Sequence, residues 1–174
     1  MRATRRESPR RVVTRLGSGF RVLRAMRAVV QRVTSATVTV EGRVVGAIDQ
    51  GLLVYVGIAH GDGAEEATYV AQKIANLRMF ADAEGRFAHS VRDVGGAVLL
   101  VSQFTLYGDC RRGRRPSFDK AAAPGLAKAV YEGLAEAVSR LGVPVRTGQF
   151  QAHMTVSSDN DGPVTLLIDS SKAL

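Results

Sequence analysis

The run from Leu52 to Ile58 restricts the fold more than any other feature, because its seven residues carry no charge. Gly51 precedes it, and a glycine-rich segment, residues 61–63, follows it. Short apolar runs between such breakers are typical of a strand that is buried on both faces. Ala97–Val101, after Gly95-Gly96, is a second run of this kind. Both runs are far too short to cross a bilayer, so we expect a buried sheet and no membrane span.

Further runs predict the other strands. Val29–Val33 is rich in β-branched residues, and Ala36–Val40 alternates valine with threonine, as a half-buried strand does. Glu41-Gly42-Arg43 is a short turn before Val44–Ile48, which predicts a hairpin. Towards the C-terminus two more strands are predicted, Met154–Val156 and Val164–Ile168.

Two segments have the three- and four-residue period of amphipathic helices. Asp62, with Glu65 three residues later, resembles an N-cap and its partner at the start of the first segment. The second segment starts at Pro124, and Gly142 with Pro144 ends it. Together the elements predict one α+β domain: a mostly antiparallel or mixed, barrel-like sheet covered by two amphipathic helices. The apolar helix faces consist of Ala67, Val70, Ile74 and Leu77, and of Leu126, Val130, Leu134, Val138 and Leu141.

The net charge of +8 lies almost entirely in residues 1–25, which hold eight arginines and one acid. Removing their +7 leaves +1 for residues 26–174, so the basic character does not describe the predicted domain. Because residues 1–25 lack a sustained apolar period, we expect a disordered extension, such as one arising from a start site upstream of Met26. A nucleic-acid-binding arm and a targeting peptide are the two other interpretations. The domain itself is expected to span residues 26–174.

Cysteine and histidine usage excludes several kinds of site. The single cysteine, Cys110, excludes an internal disulfide and is typical of a reducing compartment. His60, His89 and His153 are scattered and lack the spacing of zinc ligands. We therefore expect a cytoplasmic protein with no metal ion and no cofactor.

Two short segments carry groups suited to chemistry. Ser102–Leu106, SQFTL, follows directly after the run Ala97–Val101, so its hydroxyls, amide and aromatic ring are held in a fixed place. Asn160–Thr165, NDGPVT, contains a turn signal. Gly162 nevertheless lets the backbone approach a ligand closely, and the bond before Pro163 can be cis. Taken singly, each segment is more typical of an ordinary strand end or turn than of a site.

A basic stretch, Arg111–Arg115, places four arginines around Gly113, with Phe118 nearby. Arginines of this density form phosphate-binding loops. A solvated charged loop has the same composition, so both interpretations stay open at this point.

The segments together resemble the paired signature motifs of the D-aminoacyl-tRNA deacylases. The similarity covers nearly all of residues 26–174 and includes Arg27–Val33, Arg115–Phe118 and Thr147–Phe150. A related deacylase branch has other residues at both motifs, so the chain is similar to the D-specific branch. Ser158-Asp159 and His153 depart from the family pattern, and residues 1–25 have no counterpart in it.

The resemblance implies a homodimer that hydrolyses the ester between a D-amino acid and tRNA, with the active site at the subunit interface. If Gly162-Pro163 excludes an L side chain by steric clash, we expect glycine, which has no side chain, to be released as well. Backbone N–H groups near Phe104 would stabilise the oxyanion. Thr105 has no evident base partner, so water attack assisted by the 2′-hydroxyl of the RNA is favoured over a covalent Thr105 ester. The implied catalytic residues are Ser102, Gln103 and Thr105, and the substrate-binding residues are Phe104, Met154, Asn160, Gly162 and Pro163. If the basic stretch is a phosphate-binding loop, its expected tRNA phosphate contacts are Arg112, Arg114 and Arg115.

Two other classes of protein are considered. One is a non-catalytic nucleic-acid-binding protein of the same fold, which the arginines of residues 1–25 and Arg111–Arg115 favour. The other is an editing module of an archaeal threonyl-tRNA synthetase, whose fold is similar. The absence of a synthetase domain from the sequence speaks against the second.

Overall fold

The computed structural model describes residues 25–173. Strand β1, Arg27–Val40, pairs with other strands along both of its edges. On one edge it is antiparallel to β8, Thr155–Asp169. On the other edge its first half pairs with β3, Gly51–Gly57, and its second half with β2, Arg43–Ile48. The register against β8 shifts on both sides of Val33, and such irregularities bend a strand.

The predicted breaks inside β1 and β8 do not exist. Val29–Val33 and Ala36–Val40 belong to one continuous strand, as do Met154–Val156, from its second residue, and Val164–Ile168. The two long strands supply each other with backbone partners, so the polar residues between the apolar runs stay in the ladder. The Asn-Asp-Gly-Pro segment therefore interrupts the pairing without ending the strand.

The predicted hairpin between β1 and β2 is confirmed. Glu41 and Gly42 form a two-residue turn, and both have positive φ, 49° and 76°. Turns of this kind match the twist of the strands that they connect. Val40 accordingly faces Arg43 across the start of the ladder.

The sheet is mixed. β3 is parallel to β6, Ala97–Ser102, and β6 is parallel to β7, Val145–Thr147, whereas the pairs of β1 are antiparallel. The strand order is β2-β1-β3-β6-β7, with β8 beside β1, and the sheet closes almost completely into a barrel. The predicted fold class is therefore confirmed.

Two helices, α1, Ala64–Asn76, and α2, Pro124–Arg140, pack on each other and on one face of the sheet. Leu52 and Val54 of β3 belong to the core under these helices. Leu53, between them, belongs to a second core on the opposite face. β3 is thus buried on both faces, as its sequence predicts. The remaining elements are β4, Phe80–Ala81, β5, Phe87–His89, and a 3₁₀ helix, Phe104–Tyr107.

The start of α1 differs from the prediction by one residue. Gly63 is the N-cap, and its N–H donates to the Glu66 carboxylate over 2.8 Å. Asp62 is not available for capping, because its carboxylate accepts the N–H groups of Ala59 and Ala25, at 2.7 and 2.8 Å. Burial raises the pKa of the Asp62 carboxyl.

The start of α2 is as predicted, with Pro124 in its first turn. Leu126, however, is exposed, although the period places it on the apolar face. Tyr131, which the period does not include, is buried instead. The Tyr131 hydroxyl donates to the Leu100 carbonyl over 2.7 Å. Neither helix of the described range is long and apolar enough to cross a membrane.

Ala25 is buried at the start of the described chain, and its carbonyl accepts the Tyr107 hydroxyl. The other residues of the predicted extension, 1–24, lie outside the described residues. The predicted boundary between residues 25 and 26 therefore stays a prediction.

Candidate active site

A cleft of about 720 Å³ opens where the parallel strands β3 and β6 end. Parallel neighbours bring their carboxyl ends to one edge of the sheet, so the segments that follow them meet there. Val56 of β3 faces Ser102 of β6 in the ladder, and both line the cleft. The rest of the wall comes from residues 58, 60, 101, 103–104, 118, 121–124, 127, 150–154 and 156.

Part of the SQFTL segment lies at this cleft. Ser102 and Gln103 line it, and the Gln103 N–H donates to the Val56 carbonyl over 2.7 Å, which fixes the segment to β3. Thr105 lies exposed on the 3₁₀ helix and does not line the cleft itself. The Gln103 side-chain amide donates to the Thr105 hydroxyl oxygen, so the Thr105 proton remains free to be donated elsewhere.

The chemistry available to Thr105 is limited by its surroundings. Within residues 25–173 no imidazole or carboxylate hydrogen-bonds to its hydroxyl. A hydroxyl nucleophile normally needs such a base. The first turn of a helix leaves N–H groups without intrahelical acceptors, and the N–H groups of Phe104 and Thr105 stand at that position. The segment therefore offers hydrogen-bond donors rather than an activated nucleophile.

Phe104 and Phe118 form an aromatic corner at the rim of the cleft. Their ring centroids are 5.0 Å apart, and the rings meet edge to face at 71°. Phe104 is 57% exposed, so one of its faces remains open to a ligand. Gly108 permits this corner, because a Cβ there would lie 3.2 Å from the Phe118 ring and 3.1 Å from the Thr105 carbonyl.

Several cleft residues were not predicted individually. Phe118 and Phe150 lie in segments of the family resemblance, but neither has a sequence pattern that assigns it a role. His60 and His153, which looked scattered in sequence, both line the cleft. His60 Nε2 lies 3.0 Å from the Asp119 carbonyl. Met154, predicted to bind substrate, also lies in the wall.

Gly162 and Pro163 do not line this cleft in the same chain. They form a bulge of β8 beside Arg32, and the bond between them is cis. Gly162 has φ +123°, and a Cβ there would lie 2.8 Å from the Val164 side chain and 3.1 Å from Arg32. A glycine is therefore required. Asn160 uses its amide within the bulge: its oxygen accepts the Val164 N–H over 3.0 Å, and its nitrogen donates to Thr165.

Arg32 holds this bulge, although no sequence pattern singled it out. Its side chain is only 11% exposed. Nη1 donates to the Met79 carbonyl over 2.6 Å, Nε lies 2.8 Å from the Asp161 carboxylate, and the guanidinium lies 5.7 Å from the centre of the Phe87 ring. One planar cation thus ties the bulge of β8 to β1 and to the β4–β5 hairpin.

The family model for D-Tyr-tRNA(Tyr) deacylase matches residues 29–169. The chain belongs to this family. It is 58% identical over 144 residues to the D-aminoacyl-tRNA deacylase of Heliobacterium modesticaldum, which covers 83% of the chain and 96% of that protein. It is 56% identical over 147 residues to the D-aminoacyl-tRNA deacylase of Thermotoga petrophila, which covers 84% of the chain and 99% of that protein.

Solved structures agree with the deacylase fold. A c-Myc DNA unwinding element binding protein is similar, with a TM-score of 0.75, 39% identity, and coverage of 82% of this chain and 97% of that one. A probable eukaryotic D-amino acid tRNA deacylase has a TM-score of 0.73 at 17% identity and covers 83% of this chain and 99% of that one. The second likeness concerns the fold alone.

The role of Arg32 is tested by Arg32→Lys, which keeps the charge and removes the planar fork. Because the Met79 carbonyl and Asp161 then compete for one ammonium, we expect the free energy of unfolding to fall by about 2–3 kcal/mol in urea titrations. Arg43→Lys is the control, since Arg43 and its partner Glu41 are both more than 80% exposed and 3.7 Å apart. That pair should contribute no more than about 0.5 kcal/mol. Equal effects of the two substitutions would contradict the role of Arg32.

Proposed function

We propose that the chain hydrolyses the ester that links a D-amino acid to the terminal adenosine of tRNA, and that it does so in the cytoplasm as a proofreading enzyme. The observation that carries the proposal is the SQFTL segment, Ser102–Leu106, at the rim of a cleft large enough for an aminoacylated nucleoside. The membership in the deacylase family supports the same activity. Glycine on tRNA is a second substrate, because glycine has no side chain that steric exclusion could act on.

The terminal adenosine would lie against the aromatic corner. Proteins hold unpaired RNA bases by stacking them on aromatic side chains, and the open face of Phe104 is suited to this. Met154 lines the same cleft and offers an apolar contact. This placement brings the ester of the terminal ribose to Ser102 and Gln103.

The hydrolytic step needs an attacking oxygen and a place for the negative charge. A water molecule attacks the ester carbonyl, its proton passes through the neighbouring 2′-hydroxyl of the ribose, and the 3′-oxygen leaves with a proton. The N–H groups of Phe104 and Thr105 would donate to the tetrahedral oxyanion. Thr105, held by Gln103, orients the substrate through its hydroxyl proton. This division of roles needs no base from the protein.

In the proposed enzyme, each active site contains residues of two subunits. Gly162 and Pro163 lie outside the cleft of their own chain, so they can meet a substrate only if a second copy brings them there. The bulge is rigid enough for such a role, since Arg32 and Asn160 fix it from both sides. Leu167, further along β8, is 63% exposed and would be covered by the second copy.

Chirality would be set by backbone rather than by a side-chain pocket. A Gly-Pro segment placed against the Cα of the substrate leaves no room for an L side chain and touches a D side chain little. The enzyme would then accept many D-amino acids. Glycine has no side chain to clash, so it would pass the same filter.

The activity is tested with one tRNA charged with D-tyrosine, L-tyrosine or glycine. We expect the D-ester to be hydrolysed, the L-ester to react slower by roughly a hundredfold or more, and the glycyl ester to be cleaved measurably. Complete resistance of the glycyl ester at high enzyme concentration would contradict steric exclusion. Stability of all three esters would contradict the activity itself and favour a non-catalytic RNA-binding role.

The role of Thr105 is tested by Thr105→Ala, with Thr105→Ser as the control that keeps the hydroxyl. Loss of positioning should slow hydrolysis by about tenfold to a hundredfold in the alanine variant and little in the serine variant. A tRNA that ends in 2′-deoxyadenosine should react slowly with the wild type. A covalent aminoacyl adduct on Thr105 in mass spectra would show that the hydroxyl is the nucleophile after all.

The shared active site is tested by subunit complementation. Gln103→Ala damages the cleft and Gly162→Ala damages the bulge, so each homodimer should be inactive. Mixed subunits form heterodimers with one intact site, and about a quarter of the wild-type activity should return on co-expression. Melting curves and sedimentation of each variant check folding and dimerisation. Absence of recovery from properly folded, mixed dimers would mean that cleft and bulge act within one chain.

A further inference from the structure

The arginine loop, residues 109–117, is closed and held beside the cleft. Asp109 and Ser117 exchange backbone hydrogen bonds of 2.7 and 3.1 Å across its base. Phe118, the next residue, lines the cleft and packs on Phe104. The loop therefore stands at the rim on which the aromatic corner lies.

The four arginines of the loop are not equivalent. Arg111 is bound to the Asp109 carboxylate, with Nε at 2.8 Å and its backbone N–H at 3.1 Å, and this contact lowers the pKa of the Asp109 carboxyl. Arg111 thus shapes the loop. Arg112, Arg114 and Arg115 are exposed, and no carboxylate of the described residues forms an ion pair with any of them.

The positive charge is local to this rim. Residues 109–120 contain five cations and two carboxylates, a net charge of +3. Residues 26–174 sum to only +1, so the rest of that range carries −2. Beside His153, another lining residue of the cleft, a neighbouring cavity is lined by Arg43 together with Glu41, its ion-pair partner. A polyanion that reaches into the cleft is therefore attracted towards the arginine loop more than towards this charge-balanced pair.

We propose that Arg112, Arg114 and Arg115 form a binding site for the backbone phosphates of the acceptor arm of tRNA, over which the RNA strand leaves the cleft. The inference rests on the proposed function, because that function places the 3′ end of an RNA in the cleft. Arginine side chains bind phosphate through charged, often bidentate hydrogen bonds, and such contacts position a nucleic acid without reading its sequence. The site sets affinity and direction of the tRNA, whereas the cleft performs the chemistry.

The test compares the wild-type chain with the triple variant Arg112→Gln, Arg114→Gln and Arg115→Gln. The control is Arg78→Gln, Arg92→Gln and Arg140→Gln, which removes the same charge: Arg78 and Arg92 line a separate cavity with Gly142, and Arg140 neighbours Glu136. All three proteins keep residues 1–25, so the arginines there contribute equally. The probe is deacylated tRNA, whose affinity is measured between about 50 and 200 mM salt.

Each phosphate contact contributes roughly 0.7–0.9 to the slope of log affinity against log salt. We expect the slope of the loop variant to be shallower by about two to three, and its affinity at low salt to fall by about tenfold or more, while the control resembles the wild type. Identical slopes for the loop variant and the control would overturn the proposal.

Hydrolysis of a D-aminoacyl-adenosine separates the loop from the cleft. We expect the loop variant to lose kcat/KM only for the ester on intact tRNA. An equal loss on the small ester would mean that the loop acts on the cleft itself, which would also overturn the proposal. If the wild type hydrolyses neither ester, the proposed function fails, and the tRNA-binding comparison still decides the role of the loop.

Discussion

The pairing of β1 along both edges is the constraint on which the rest of the structure depends. One strand of 14 residues holds β8 on one side and both β3 and β2 on the other. The register between β1 and β8 shifts on both sides of Val33, and at the first shift β8 bulges at Gly162. Bulges bend and twist a strand, which favours the curling of the sheet towards a barrel. β3, fixed by β1, then places β6 in parallel beside it, and the ends of β3 and β6 form the cleft. If β1 did not pair along both edges, neither the bulge of β8 nor the cleft at the ends of β3 and β6 would keep its position.

The sequence predicts the elements of this fold better than their limits. Residue patterns within 10–15 positions fix the hairpin at Glu41-Gly42, the buried run of β3 and the two helices, because those depend on local turns and periods. They cannot show that β1 and β8 continue through their polar middle residues, since the partner strand lies more than 100 positions away. The shift of the α1 cap from Asp62 to Gly63 has a similar cause, since the Asp62 carboxylate is used by Ala25.

The candidate site likewise contains residues that the sequence predicts and residues that it does not. SQFTL and NDGPVT are visible as motifs, and their resemblance to the deacylases indicates the family from the sequence alone. Arg32 has no motif of its own, because its importance comes from contacts with Met79, Asp161 and Phe87 that only the folded chain brings together. His60 and His153 illustrate the same point, since two residues far apart in sequence line one cleft. Prediction from sequence therefore finds the residues that belong to a motif, and it misses those whose position depends on contacts made only in the folded chain.

The distribution of charge connects the fold to the chemistry. Among residues 25–173, the lining of the cleft contains no carboxylate, lysine or arginine, and its polar side chains are one hydroxyl, two amides and two histidines. Hydrolysis of an ester needs little from such a site beyond fixed hydrogen-bond donors and the exclusion of L-amino acids. The carbonyl is already electrophilic, and the RNA supplies a hydroxyl of its own. A tRNA, in contrast, is a large polyanion whose affinity depends on cations. A cleft without arginine or lysine, beside a loop that carries three exposed arginines, would meet the two requirements with separate groups. If the loop binds the RNA as proposed, affinity for the RNA and hydrolysis of a small ester change independently.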